Sequence, residues 1–257
     1  MSKKIILIAG PTASGKSKLA IHLAKKLNGE IINADSMQIY KEFSVLSSRP
    51  SKKETRQAKH YLYGLISVKK YFSAGDWLKE ATKKINLCIK KNKIPIIVGG
   101  TGLYFNTITK GISKIPNIDL KTRNKVRNLF KKLGFAKFYD RLIKLDPKVK
   151  NKILSSDSQR AQRAYEVKLK TKKSIFNWIE NTKSDFIDYD LKLVFIEMPR
   201  EVLLKKISKR IDSMFMLNCI NEVKKFNSIN LNKSLSANKL IGVQEINSYL
   251  KNNIDLK

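Results

Sequence analysis

The chain is short of acid. Its 257 residues hold 21 Asp and Glu against 53 Lys and Arg, a formal net charge of +32. A balance like this suits a polyanionic partner, and nucleic acid is the usual one. Only nine of the basic residues are Arg, in a chain also rich in Asn and Ile, which points to a biased codon supply. Such a bias selects which basic residue is used and leaves the scarcity of acids unexplained. Cysteine is scarce too: Cys88 and Cys219 stand far apart with no metal-ligand spacing around them. That pattern excludes a disulfide framework and a zinc site, and reads as reduced core thiols in a cytoplasmic protein. No apolar run approaches the roughly 18 residues of a membrane-spanning helix. The chain enters an apolar run at Ile5, so no signal peptide is expected. There is no internal repeat and no low-complexity tail. A hydrophobic content of 42% is ordinary for a globular protein, and the length suits one large or two modest domains.

What is present begins at that apolar run. Ile5 to Ala9 leads directly into Gly10-Pro11-Thr12-Ala13-Ser14-Gly15-Lys16-Ser17, a G-x-x-x-x-G-K-[ST] phosphate-binding loop. Gly10 and Gly15 let the backbone bend so that successive N–H groups point at an anion. The helix that follows adds the positive end of its dipole. Lys16 is placed to reach the terminal phosphate, and the Ser17 hydroxyl to hold Mg²⁺. Leu19, Ala20, Leu23, Ala24 and Leu27 recur at helical spacing, and Asn28-Gly29 is a stop signal. Glu30 to Asp35 then reads as a second strand, so the expected fold is α/β, a P-loop NTPase-like parallel sheet flanked by helices. Ligands of such sheets sit at the carboxyl ends of the strands, where Asp35 and Ser36 arrive beside the loop.

Further along, Ser73 to Lys91 has helical periodicity, and Ile94 to Val98 reads as a buried parallel strand closed by Gly99-Gly100-Thr101-Gly102. From Leu103 to Lys110 the pattern is helical. The stretch 114–190 is polar, Lys-rich and helical, with no convincing strand, and reads as an all-helical insertion domain. A strand pattern returns at Leu191 to Pro199, followed by helices through Val202 to Ile211 and around Ile220 to Phe226. The expected organisation is a catalytic core over 1–113, a helical insertion over 114–190, and core completion over 191–257.

An ATPase or GTPase of this loop class places an acidic residue at the end of a neighbouring apolar strand to organise Mg²⁺ and water. The strand at 94–98 ends in glycines and a threonine instead, which argues against hydrolysis. The carboxylate at a strand end is Asp35, followed by Ser36, Met37 and Gln38. Together they offer a base, a hydroxyl, and an amide able to pair with a nucleobase edge. The plainer alternative for Asp35 is a carboxylate that caps a turn or holds Mg²⁺ through water.

Four stretches now occur in order: the loop at 10–17, Asp35-Ser36-Met37-Gln38-Ile39-Tyr40, the run from Ile94 through Gly99-Gly100-Thr101-Gly102 to Phe105, and Gln159-Arg160-x-x-Arg163-Ala164-x-Glu166-Val167. Together they resemble the bacterial tRNA dimethylallyltransferases, also called tRNA isopentenyltransferases, of the IPP transferase family. The resemblance runs from residue 5 to about residue 250. It implies transfer of a dimethylallyl group from dimethylallyl diphosphate to N6 of the adenosine 3′-adjacent to the anticodon, in tRNAs reading codons that begin with U. The loop would then grip a leaving diphosphate, with Arg210 as a second diphosphate contact and Mg²⁺ on Ser17 as cofactor. Asp35 is implied as the base that accepts the N6 proton and Thr101 as a hydrogen-bonding catalytic partner. Implied tRNA contacts are Asp35, Ser36, Met37, Gln38, Thr101, Arg123, and the run Gln159, Arg160, Ala161, Gln162 and Arg163. For the arginines the alternative is a solvated basic face. Tyr40, Tyr104 and Phe105 read as core or channel wall, His22 as helix surface, and His60 as a buttress of the site. The implied partners are the tRNA anticodon stem-loop and the donor, with no membrane, for a cytoplasmic monomer.

The chain departs from the family in places. Ser47-Ser48-Arg49-Pro50 stands where the pattern ends Thr-Ala-Lys-Pro, and Asn218-Cys219 where it has Gly-Leu. Val243-Gln244 replaces Tyr-Lys between Gly242 and Glu245. The family's later basic helix, with its Arg-Gln and Trp-Phe-Arg segments, has no counterpart among these residues. Two other readings therefore stay open: a small-molecule kinase using the loop for ATP, and a tRNA-binding remnant without turnover.

Overall fold

The computed structural model describes residues 3–229, 231 and 236–255. The chain divides into two compact units, one of residues 1–109 with 186–257 and the other of residues 110–185.

The first unit is built on a five-stranded parallel sheet. Its strands are β1 (Lys4–Ala9), β2 (Gly29–Asn33), β3 (His60–Tyr61), β4 (Ile94–Gly99) and β5 (Asp190–Phe195), ordered β3-β2-β4-β1-β5. The helices of this unit are α1 (Lys16–Lys26), α2 (Lys52–Thr55), α3 (Ala74–Lys90) and α4 (Gly102–Thr109). After the second unit come α8 (Arg200–Met216), α9 (Cys219–Asn227) and α10 (Val243–Leu250). The continuous apolar runs explain the central strands: a strand's side chains alternate between faces, and both faces are covered. Ile5 and Leu7 of β1 enter the core shared with α3, α4 and α9, whereas Ile6 and Ile8 enter the core packed by α1. The same division separates Ile97 of β4 from Ile96 and Val98. Helix α3 starts at a capping box, in which Ser73 and Asp76 each satisfy the other's backbone N–H. It buries Trp77, Ala81, Ile85 and Cys88 at helical spacing. Strand β5, at the sheet edge, is less covered, and Leu193 and Phe195 are 69% and 65% exposed.

The second unit is all-helical: α5 (Leu120–Leu145), α6 (Ser158–Thr171) and α7 (Ile175–Glu180), with a short 3₁₀ turn at Pro147–Val149. Helix α5 is interrupted at Gly134, whose φ of 71° is non-helical. Its core includes Val126, Phe138, Leu142, Val149 and Tyr165. The unit runs from Lys110 to Asp185, a few residues earlier at each end than the 114–190 read from composition. Composition changes gradually at such junctions and packing does not.

The expected elements are present with small shifts. Strand β2 ends at Asn33, two residues short of Asp35. The two-residue β3 carries too little pattern to be read in advance.

Candidate active site

Because β1, β2 and β4 are adjacent and parallel, the segments that leave them emerge at one edge of the sheet. These are the loop at 10–15, the turn at 34–38 and the glycine-rich turn at 99–102.

The phosphate loop has the backbone its sequence requires. Gly15 is left-handed at φ 92° and stands directly before α1, and Ala13 is left-handed at φ 59°. Among the described residues no side chain caps the α1 N-terminus, so its first N–H groups keep their capacity for an anion. Ser14 is buried and its hydroxyl has no hydrogen-bond partner among the described residues, a cost that a bound anion would remove. The Lys16 ammonium donates to the Pro11 carbonyl, folding back over the loop. Burial lowers its pKa, the nearby Asp35 carboxylate raises it, and Arg210 lowers it again.

Arg210 lies on α8, far from the loop in sequence. Its Nε donates to the Ser48 hydroxyl at 2.6 Å and its Nη1 to the Thr12 hydroxyl at 3.1 Å. Burial lowers the guanidinium pKa and Asp35 raises it. An arginine keeps its charge regardless, so the loop has a cation beside it.

Asp35 is held by its neighbours. The wholly buried Asn33 accepts from the Asp35 amide at 2.9 Å and donates to the Asp35 carbonyl at 3.0 Å and the Leu62 carbonyl at 3.1 Å. Trp77 Nε1 donates to the Asn33 carbonyl at 2.8 Å, and its ring stacks on Tyr104 with centroids 4.3 Å apart. One carboxylate oxygen, Oδ1, accepts from the amides of Met37 at 2.9 Å and Gln38 at 3.4 Å. This is the turn-capping arrangement, and it leaves Oδ2 for chemistry. A Cβ on Gly100 would lie 3.8 Å from Oδ2.

The side chains of the two turns are already engaged. Thr101 Oγ1 accepts the Ser36 amide at 2.9 Å and donates to the Ser36 hydroxyl at 3.2 Å. Gln38 Nε2 donates to the carbonyls of Ser47 and Ser48, each at 2.9 Å. Thr101 therefore ties the β4 and β2 turns together. Both donors of the Gln38 amide, expected to face a nucleobase, are used inside the protein. Gly99 makes the approach possible, since a Cβ there would fall 2.2 Å from the Ala34 backbone.

An open cleft of about 720 Å³ adjoins the start of the loop, lined by Gly10, Pro11, Phe195, Glu197, Met198 and Pro199. Tyr40 and Tyr104 are buried core residues, and His22 is exposed on α1. His60 is half-buried, its Nδ1 2.8 Å from the Ala58 carbonyl, and burial lowers its pKa.

In the second unit, Arg123 occupies the first turn of α5 and is partly buried. Gln159 and Arg160 are exposed on the first turn of α6, and Arg160 pairs with Asp157 at 3.3 Å. Arg163 pairs with the buried Glu166 at 3.4 Å, and Gln162 Nε2 donates to the Ser158 carbonyl at 3.2 Å. Ala161, expected among the tRNA contacts, lies instead in the unit's core with its side chain closed to solvent. The helical period puts it on the face opposite Gln159, two residues before it.

Asn33, Ser48 and Glu222 were not anticipated. A polar residue closing a buried strand just before Asp35 is a local signal for Asn33. Glu222, which accepts from the Ser44, Val45 and Leu46 amides, is joined to them only by the fold.

Comparison with known proteins sets this geometry among relatives. The IPP transferase family model matches residues 38–257. The tRNA dimethylallyltransferase of Pelagibacter ubique is 51% identical over 253 residues, 98% of this chain and 81% of its own length. That of Rickettsia felis is 40% identical over 255 residues, 99% of this chain and 82% of its own. The crystal structure of the full-length tRNA isopentenylpyrophosphate transferase from Bacillus halodurans superimposes with a TM-score of 0.68 at 30% identity, covering 99% of this chain and 79% of that one. A eukaryotic dimethylallyltransferase acting on tRNA gives a TM-score of 0.83 at 28% identity, over 97% of this chain and 64% of that one.

Proposed function

The chain belongs to the IPP transferase family, and on that premise we propose that it transfers a dimethylallyl group from dimethylallyl diphosphate to tRNA. The acceptor is N6 of the adenosine 3′-adjacent to the anticodon in tRNAs reading codons that begin with U, and the product is diphosphate. The observation that carries this reading is the glycine-bent loop with Arg210 hydrogen-bonded to its Thr12, at the sheet edge where the Asp35 turn also emerges. The strand at 94–98 ends in glycines and a threonine, without the acidic residue a hydrolase of this loop class needs, whereas a prenyl transfer needs an anion grip next to a proton acceptor.

The chemistry follows from those groups. The loop amides, the Ser14 hydroxyl, Lys16 and Arg210 hold the diphosphate, and their positive charge favours departure of the allylic oxygen with its electron pair. As the C–O bond breaks, N6 bonds to the allylic carbon, and one N6 proton passes to Asp35 Oδ2. Thr101 acts by holding the Ser36 turn, which keeps Asp35 in place. Reaction requires the adenosine to leave its stack, which is why single-stranded loops are the substrates of such enzymes.

Mg²⁺ fits the donor set. Among the described residues no group of three His, Cys, Asp or Glu side chains is placed to hold a metal alone. The Ser17 hydroxyl is exposed on the first turn of α1, and Mg²⁺ commonly takes one such protein oxygen together with phosphate oxygens and water. When bound it would neutralise charge on the diphosphate. Arg123, Gln159, Arg160, Gln162 and Arg163 are proposed tRNA contacts, in a chain whose net charge of +32 suits a phosphate backbone. The protein is proposed to act as a monomer in the cytoplasm, where tRNA and reduced thiols belong.

The test is transfer of label from dimethylallyl diphosphate to an unmodified tRNA with consecutive adenosines in its anticodon loop, with Mg²⁺ present. Label at the adenosine 3′ of the anticodon is the expected result. Tight tRNA binding without incorporation would leave a remnant lacking turnover, and loss of both would point to a kinase.

A further inference from the structure

Ser48 belongs to none of the roles above, yet it is among the most firmly placed residues of the first unit. It sits at φ 51°, a conformation an ordinary residue keeps only when its surroundings impose it. The surroundings do so from several sides. Its amide donates to the Val45 carbonyl at 2.8 Å, and its carbonyl accepts from Gln38 Nε2 at 2.9 Å. The preceding turn wraps the Glu222 carboxylate of α9, which accepts from the amides of Ser44, Val45 and Leu46 and from the Ser44 hydroxyl at 3.0 Å.

The outcome of this fixation is the position of one hydroxyl. Ser48 Oγ accepts the Arg210 Nε–H at 2.6 Å, while Arg210 Nη1 reaches Thr12 in the phosphate loop. A guanidinium is rigid and planar, so fixing Nε and one Nη sets the direction of every remaining donor. Without the Ser48 contact, the long Arg210 side chain would hold the loop by Thr12 alone.

We propose that Ser48 is a positioning residue, which aims Arg210 at the diphosphate held by the phosphate loop. The proposal rests on the reading of that loop as the diphosphate site. Ser48 need touch neither substrate, because it acts through the guanidinium. Gln38 and Glu222 hold it for that purpose, which links two turns and α9 to the anion grip.

The test is calorimetric titration of inorganic diphosphate with Mg²⁺ into the full chain and into Ser48→Ala, Ser48→Gly, Arg210→Gln and the Ser48→Ala/Arg210→Gln double variant. Ser48→Gly removes the hydroxyl while suiting the positive φ, so it separates the hydrogen bond from backbone strain. Expected is a loss of about five- to tenfold in diphosphate affinity for both Ser48 variants, the scale of one net intramolecular hydrogen bond. Affinity for tRNA stays unchanged, and the loss vanishes when Arg210 is already Gln. Losses that simply add in the double variant overturn the proposal, as does wild-type affinity in Ser48→Gly. Failure of the wild-type chain to bind diphosphate would overturn the reading of the loop itself. A weakened Arg210→Gln beside unchanged Ser48 variants would overturn the positioning role only.

Discussion

Asn33 grips Asp35 by both ends of its amide, accepting the Asp35 N–H and donating to the Asp35 carbonyl, while itself wholly buried. A side chain that substitutes for secondary structure in this way fixes the turn more tightly than strand β2 could, since the strand stops at Asn33. Replacing Asn33 with Ala leaves the Asp35 amide and the Leu62 carbonyl without their partner. About 2–4 kcal/mol of stability should be lost, together with most of the transfer rate in the molecules that remain folded. Urea unfolding and single-turnover kinetics read the two effects, and an unchanged midpoint would remove Asn33 from this role.

Asp35→Asn keeps an oxygen for the Met37 and Gln38 amides and removes the proton acceptor. The chemical step is expected to slow by about 10²- to 10⁴-fold, with tRNA affinity almost unchanged. Equal single-turnover rates for variant and parent would take Asp35 out of the mechanism.

Lys16→Ala removes the ammonium that folds over the phosphate loop. Diphosphate affinity should fall at least about tenfold, the scale of a charged hydrogen bond or more. If calorimetry finds affinity for dimethylallyl diphosphate intact, the loop is not the donor site.

Gly99→Ala places a Cβ 2.2 Å from the Ala34 backbone, and a backbone atom cannot swing aside as a flexible side chain does. The β4 turn must move, and with it the Thr101 amide that donates to the Ala34 carbonyl at 3.1 Å. The expected cost is about 2 kcal/mol or more, with a drop in transfer rate. Thermal unfolding and the transfer assay check both, and a melting temperature equal to the parent's would contradict the packing argument.

Cys88 and Tyr61 both donate to the buried Glu30 carboxylate, at 3.4 and 2.8 Å. Burial chiefly, and then this carboxylate, push the Cys88 thiol up to about 12 from an ordinary 9. The native thiol therefore stays protonated and should resist alkylation at pH 8, reacting fully once urea is added. The sign for stability follows: below pH 9 the thiol is neutral in both states and costs nothing. Between about 9 and 12 only the unfolded chain loses the proton. Stability then falls as pH rises, by up to about 1.4 kcal/mol per unit from this group. Melting temperatures that are flat across that window, or rapid native alkylation, would contradict it.

Much of the molecule was readable because its signals are contiguous. Ile5 to Ser17 spells a buried strand, a glycine-bent loop and a helix in one unbroken stretch, and each part needs only its neighbours to form. The same holds for α3, whose apolar spacing and Ser73 cap announce it, and for the strand ending at Gly99. Charge announced a polyanionic partner. The two-residue β3 could not be read, because a pattern of period two needs more than two residues. Ala161 was misplaced among contacts because a motif gives neighbours in sequence, whereas a helix sends residues two apart to opposite faces.

By itself, then, the sequence determined the glycine-bent loop between a strand and a helix, the parallel α/β class and the resemblance to a tRNA-modifying family. Each of these is encoded within spans short enough for local propensity and patterning to act. Only the tertiary structure decided that Arg210 meets Thr12 and Ser48, that Asn33 holds Asp35, and that the Gln38 amide is spent on the Ser47–Ser48 backbone. Those pairings join residues from different elements, and they exist only after the sheet order β3-β2-β4-β1-β5 has brought the strand ends to one edge. Nothing local favours one such partner over another; burial and hydrogen-bond satisfaction choose between them when the core closes.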